Sequence, residues 1–168
     1  RHASDVETIL EYARGRCKVG FLVETREAVQ RIDTFAELPV TRVYVGLFDL
    51  AIERRCQNLF TPLIDGTVER VRAAVRAPFG VGGLTLPERG APIPCRLLIG
   101  EMARIACDFS FLRRSFLADT VAQDAGAAAR SILAAVAAAR VRSSKEVARD
   151  RAELVRRVGP AQIQHAWT

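Results

Sequence analysis

Four short apolar runs, which alternate with segments of helical periodicity, constrain the fold of this 168-residue chain more than any other feature. The runs lie at 18–23, 42–47, 79–84 and 108–112. Short continuous runs rich in Val, Leu and Phe are typical of buried strands. Strands that alternate with helices indicate a parallel sheet. We therefore predict an α/β fold of four βα units, half the number in an eight-stranded barrel.

The intervening segments predict the helices. Apolar spacing favours helices over 5–16, Thr25–Leu38, 65–78, Cys95–Ala106, Asp119–Val141 and Ser144–Val158. Ser143 or Ser144 is the expected N-cap of the last helix. The segment 51–64 is expected to be a loop with a short helical turn, and Glu101 is expected on an exposed helix surface.

Two acids, Glu24 and Asp49, each stand directly after an apolar run. The carboxyl ends of neighbouring parallel strands open into one shared mouth, where barrel enzymes keep their chemistry. Two carboxylates with room for water and substrate suit a magnesium-like ion. A structural role, as a cap or as an ion pair with Arg26, Arg42 or Arg54, is the alternative.

Five short motifs follow one another along residues 5–118. They are Val23-Glu24-Thr25-Arg26-Glu27-Ala28, Val45-Gly46-Leu47-Phe48-Asp49-Leu50, Asp65-Gly66-Thr67, Phe79-Gly80-Val81-Gly82-Gly83 and Arg114-Ser115-Phe116. In order and spacing they resemble the HpcH/HpaI aldolase, or citrate-lyase-like, family of class II pyruvate aldolases. The resemblance implies the C-terminal half of a (β/α)₈ TIM barrel over residues 1–118, with a helical C-terminal extension over 119–168.

The resemblance also implies a function, that of a metal-dependent carbon–carbon lyase. Glu24 and Asp49 would hold Mg²⁺ or Mn²⁺, which chelates a pyruvate-type 2-oxo acid and stabilises the enolate formed when the C–C bond breaks. The backbone N–H groups of Phe48 and Asp49 would face the substrate carboxylate. The second substrate would be an aldehyde or acyl compound.

Three further residues are candidates for substrate binding. Gly82 and Gly83 let either a ligand or a neighbouring backbone approach closely. Arg114, beside Arg113, fits either an anion site at the barrel mouth or a solvated strand end.

The family's catalytic histidine and substrate-binding arginine come from the first half of its barrel, which has no counterpart here. The two histidines of the chain are His2 and His165, so no catalytic residue is assigned. The chain also lacks an initiator Met, and we expect a fragment of a longer enzyme. The alternative is a truncated or degenerate barrel that serves as an interaction or oligomerisation module without catalysis. Because half a barrel exposes a strand edge, we expect a homo-oligomer or a missing N-terminal half.

The charge and the cysteine content of the chain restrict the partners and the cellular location that we expect. The net charge is +6, but residues 126–158 hold eight basic and three acidic residues, so most of the excess lies in the C-terminal helices. A nucleic-acid surface on the domain is thus unsupported. No apolar run approaches the ~20 residues of a membrane span. The four cysteines form no C-x-x-C pair, which favours buried free thiols in the cytoplasm.

Overall fold

The computed structural model describes residues 3–121 and 124–159, so His2 and His165 lie outside the described residues. The chain divides into two compact units, one that ends at Val81 and one that begins at Gly82. The domain boundary predicted between residues 118 and 119 falls inside the second unit and stays a prediction. Within the described ranges, no helix combines the length and apolar character that a membrane crossing requires.

The first unit contains three strands and six helices among its described residues. They are α1 (Ala3–Ala13), β1 (Gly20–Val23), α2 (Arg26–Gln30), α3 (Ile32–Ala36), β2 (Arg42–Val45), α4 (Leu47–Glu53), α5 (Thr61–Ile64), α6 (Thr67–Ala74) and β3 (Phe79–Val81). The described part of the second unit contains α7 (Cys95–Arg104), α8 (Phe116–Asp119), α9 (Ala125–Arg140) and α10 (Ser144–Val158).

The strands form one parallel sheet in the order β1-β2-β3, which confirms the predicted parallel pairing. Val23 pairs with Val45, and Val45 pairs with Val81, so all three are in register and fully buried. Since side chains alternate between the faces of a strand, Phe21 shares this face. Its ring stacks on Phe35 of α3 at 4.6 Å between ring centroids.

The prediction of a partial TIM barrel with four βα units is wrong. The described residues form an open sheet of three strands, and the third strand ends at Val81 rather than at residue 84. The fourth predicted strand, 108–112, forms no continuous strand among the described residues, and an isolated parallel bridge pairs Leu84 with Leu112. Gly83 has a φ of +114°, which is outside the extended region, so the backbone leaves the strand geometry before a regular ladder can form.

Several helix boundaries also differ from the prediction. The helix expected over Thr25–Leu38 is two helices, because Arg31 leaves helical geometry at φ −99°, ψ 18°. The segment 51–64, predicted as a loop with a short helical turn, holds the end of α4 and then the four-residue helix α5, which is such a turn. The expected helix from Asp119 begins instead at Ala125, with Asp124 as its N-cap.

Helix α7 is the centre of the second unit, since both α9 and α10 pack against it. The start of α10 follows the prediction: the Ser143 hydroxyl accepts from the Glu146 N–H, and the Glu146 side chain accepts from the Ser143 N–H. Glu101 of α7 is 3% exposed, so the predicted surface position is wrong. All four cysteines are free thiols; Cys95 is buried, but Cys17 is exposed, contrary to the prediction.

Candidate functional site: a carboxylate pair at the sheet edge

Glu24 lies immediately after β1, at the carboxyl end of the strand. The chain turns there into α2, whose N-cap is Thr25. The Thr25 hydroxyl accepts a hydrogen bond from the Ala28 N–H at 3.1 Å. This cap stabilises the helix start, and it fixes the backbone that carries Glu24.

Asp49 lies in the first turn of α4. Gly46 directly follows the last residue of β2 and is the N-cap of this helix. Because β1 and β2 are parallel neighbours, both acids come to the same edge of the sheet. The Gly46 N–H donates to the Val23 carbonyl oxygen at 3.1 Å and joins the two strand ends.

Gly46 leaves the space that the Glu24 side chain occupies. A Cβ placed on Gly46 would lie 2.6 Å from Glu24 Cγ and 2.9 Å from Cδ. Real Cβ atoms do not approach other atoms so closely. A larger residue at this position would therefore displace the carboxylate of Glu24 from its place at the sheet edge.

The two carboxylates influence each other electrostatically. Burial first, and then the negative charge of Asp49, raise the pKa of Glu24 above its ordinary value. Within residues 3–121 and 124–159, neither carboxylate makes a hydrogen bond or an ion pair. Arg54, one of the alternative partners, instead pairs with Asp65 at 2.5 Å. The described contacts thus contain no ion pair that would explain the two acids structurally.

Tyr44 is a third member of the site, and the sequence reasoning missed it. Burial, then Glu24 and then Asp49, raise the pKa of Tyr44 further above its ordinary value. The phenol is therefore protonated at neutral pH and can donate a hydrogen bond. Tyr44 pairs with Leu22, two residues before Glu24, and side chains two apart share a face. This register follows from the strand pairing and is not visible in the sequence.

Phe48 directly precedes Asp49 in the sequence and is 61% exposed. Phe48 and Asp49 lie in the first turn of α4, where the first backbone bond of the helix runs from the Leu50 N–H to the Gly46 carbonyl. The N–H groups of the first turn have no acceptor inside a helix. Substrate binding by Phe48 and Asp49 stays a prediction.

The other predicted substrate residues, Gly82, Gly83 and Arg114, belong to the second unit. A Cβ on Gly83 would lie 3.3 Å from Leu98 Cδ2, which is a tight packing contact. The Gly83 N–H donates to the Phe111 carbonyl at 3.1 Å. Arg114 is exposed. These contacts are structural, and a role in substrate binding stays a prediction.

No cluster of three or more His, Cys, Asp or Glu side chains in the described ranges could enclose a metal ion. Glu24 and Asp49 supply two hard oxygen ligands, and Mg²⁺ often binds through one or two carboxylates with water and substrate oxygens completing its shell. Burial and then the negative charge of Asp49 raise the pKa of Glu24, and a divalent cation would neutralise that charge. The two carboxylates therefore fit an open metal site in which water and substrate oxygens complete the coordination shell.

The sequence matches no model of a known protein family and no curated protein. The likeness to the HpcH/HpaI aldolases accordingly stays a prediction from the five motifs. The geometry around Glu24, Asp49 and Tyr44 is the independent ground for a functional hypothesis.

The raised pKa of Glu24 predicts a pH-dependent stability. Because the unfolded chain ionises near the ordinary value of 4.5 and the folded chain ionises higher, this stabilising contribution is present below 4.5 and is lost as the pH rises through the folded pKa. We expect Glu24→Gln to raise the free energy of unfolding relative to wild type at about pH 7 and to change it little at about pH 3.5.

Urea denaturation followed by circular dichroism at both pH values measures this difference. Glu37→Gln, on an exposed position of the same unit, is the control and should give the same small change at both pH values. An equal effect of Glu24→Gln at the two pH values would contradict the raised pKa.

Proposed function

We propose that the first unit binds a divalent cation through Glu24 and Asp49, and that the protein is a metal-dependent carbon–carbon lyase of the class II aldolase type. The substrate would be a pyruvate-type 2-oxo acid, with an aldehyde or acyl compound as the second reactant. The observation that carries this proposal is a pair of mutually repelling carboxylates at one sheet edge, without an ion-pair partner in the described chain. The four free thiols favour the cytoplasm as the location.

The residues of the site have separate roles in this proposal. Glu24 and Asp49 would bind Mg²⁺ or Mn²⁺ through their carboxylate oxygens. The ion would supply Lewis-acid polarisation of the substrate carbonyl. Tyr44 would donate a hydrogen bond to a substrate oxygen, since a phenol is protonated at neutral pH and the raised pKa of Tyr44 moves it further from ionisation. The exposed Phe48 would contact the remainder of the substrate.

Metal titration in the presence and absence of pyruvate tests the site directly. We expect Asp49→Asn to weaken Mn²⁺ binding by roughly 10–100-fold, a range that even loss of an outer-shell partner of a metal ligand produces. Asp33→Asn is the matched control, because Asp33 carries the same charge on an exposed surface of the same unit, 3.6 Å from Arg70. Isothermal titration calorimetry measures both affinities.

Two further results separate a site from general charge attraction. Gly46→Ala should weaken Mn²⁺ binding although it removes no ligand, because its methyl group displaces Glu24. Pyruvate should tighten Mn²⁺ binding to the wild type and leave Asp49→Asn unchanged. Equal Mn²⁺ affinities for wild type, Asp49→Asn and Asp33→Asn would refute the metal site and with it the lyase proposal.

A second candidate function is that of a non-catalytic interaction or oligomerisation module. Large apolar side chains of the second unit favour it, since Leu117, Val121 and Val141 are 76%, 85% and 83% exposed. Large apolar side chains that are exposed in one chain become buried when that surface meets a partner. Sedimentation velocity of the chain distinguishes the candidates: a concentration-dependent oligomer without Mn²⁺ binding favours the module, and a monomer that binds Mn²⁺ favours the enzyme.

A further inference from the structure

The second unit contains an apolar cavity of about 410 Å³ that has no part in the proposed lyase chemistry. Helices α7 and α9 line it, together with residues 107–110 and with Leu84, Leu112 and Phe116. Small-molecule sites range from roughly 300 to 1,000 Å³ and are mostly apolar with a few polar groups. The volume and the lining are therefore those of a ligand site.

The lining residues of α9 recur along one stripe of the helix. They are Ala129, Ile132, Leu133, Val136 and Arg140. The spacing of three and four residues places them on one face. Ile132 is buried, while Leu133 is 66% exposed at the cavity. The stripe leads from an apolar interior to a single cation in the last turn of α9.

The two charged residues that line the cavity, Arg140 and Asp108, differ in whether they already interact with another residue of the chain. Arg140 lines the cavity and makes no hydrogen bond or ion pair with any described residue. Asp108 also lines it, but this acid already has an interaction partner within the chain. The segment 126–158, which includes α9, carries eight basic and three acidic residues, so its net charge favours an anion.

We propose that this cavity binds an amphiphilic aliphatic carboxylate, of the class of medium-chain fatty acids. The aliphatic chain would lie against Ile99, Met102 and Val136, where each buried methylene contributes favourable transfer free energy. The carboxylate would pair with Arg140, whose planar guanidinium can bind a carboxylate through two parallel hydrogen bonds. This binding site is independent of the metal site in the first unit.

Calorimetric titration of the whole chain with decanoate, below its micellar concentration, tests the proposal. We expect saturable binding of one decanoate per chain. Arg140→Gln should weaken the affinity roughly tenfold, since it removes a charge-assisted pair. Arg130→Gln is the matched control, because Arg130 lies exposed on the same helix, 3.9 Å from Asp124 and outside the cavity lining.

Filling the cavity gives a second and separate readout. Ala129→Trp should abolish decanoate binding, whereas Ala134→Trp, on an exposed position of α9 outside the lining, should leave it unchanged. Decanoate should also slow alkylation of Cys107, which lines the cavity, and leave alkylation of the exposed Cys17 unaffected. Circular dichroism verifies that each variant retains its helix content.

Three results would overturn the proposal. The first is that decanoate does not bind saturably, and the second is that neither Arg140→Gln nor Ala129→Trp changes its binding. The third is that the chain self-associates, and that Ala129→Trp dissociates the oligomer whereas decanoate does not. The last result would assign the cavity to contact with a second copy. Mn²⁺ titration of the same variants should match the wild type, so failure here is distinguishable from failure of the lyase proposal.

Discussion

Replacing Glu101 by alanine is expected to lower the free energy of unfolding of the second unit by about 3 kcal/mol. The Glu101 carboxylate accepts hydrogen bonds from Arg104 at 2.6 Å and from Arg151 at 2.5 Å. The acid is almost fully buried, while the two arginine side chains are 28% and 23% exposed. Removing the acid leaves two partly buried cations next to each other, which costs more than the ion pairs themselves contribute.

Glu153→Ala is the comparison variant for Glu101→Ala. Glu153 also pairs with two arginines, Arg96 at 2.9 Å and Arg157 at 2.8 Å, but its side chain is 18% exposed and both arginines are more solvated. We expect a loss of only about 1 kcal/mol there, because exposed pairs contribute little. Hydrogen exchange of the α7 and α10 amides measures both losses. Equal losses for the two variants would show that the burial of Glu101 does not increase the contribution of its ion pairs to the free energy of unfolding.

The second large effect is expected in the first unit, where Phe79→Ala should cost about 4 kcal/mol of unfolding free energy. Phe79 is fully buried on β3, pairs in register with Val43, and lies beneath the Arg72 guanidinium at 5.6 Å from the ring centroid. Truncation removes the transfer free energy of the ring and leaves a cavity that the sheet cannot close completely.

Phe48→Ala removes the same ring from a position that is 61% exposed in the same unit. We expect this control to change the free energy of unfolding by less than about 0.5 kcal/mol. Urea denaturation followed by circular dichroism, with hydrogen exchange of β1–β3 to locate the effect, compares the two variants. Similar losses at the two positions would mean that Phe79 is not a core residue of the sheet.

Local signals predicted much of the first unit. The apolar runs at 18–23 and 42–47 contain the adjacent parallel strands β1 and β2, which are shorter than predicted and bury Val23, Val43 and Val45. That pairing brings Glu24 and Asp49 to one edge of the sheet, as the sequence indicated. The function that these acids perform remains a proposal, since position at an edge does not specify the chemistry.

Other features of the site depend on residues that are distant along the chain. Tyr44 joins the site because the parallel pairing of β2 with β1 places it opposite Leu22, which lies 22 residues earlier in the sequence. The register of two strands is not visible in a single apolar run. Arg54 is engaged with Asp65 and Thr67 rather than with the two acids. The sequence offered Arg26, Arg42 and Arg54 as equal ion-pair partners for Glu24 and Asp49, and the contacts of the described residues include none of these pairs.

Local sequence patterns were sufficient to predict helix α10 with the reciprocal cap of Ser143 and Glu146, whose contacts lie within a few residues. The apolar runs also located the strands β1 and β2, although the contacts that pair them join residues 22 positions apart. Tertiary structure leaves the described residues with an open sheet of three strands, since the pairing of 108–112 depends on a partner at residue 84 and on the turn at Gly83. It also decided that Glu101 is buried, because Arg151 lies 50 residues further along the chain. Caps and periodicity act locally, whereas strand pairing and burial of charge are set by contacts between segments that meet only in the folded protein.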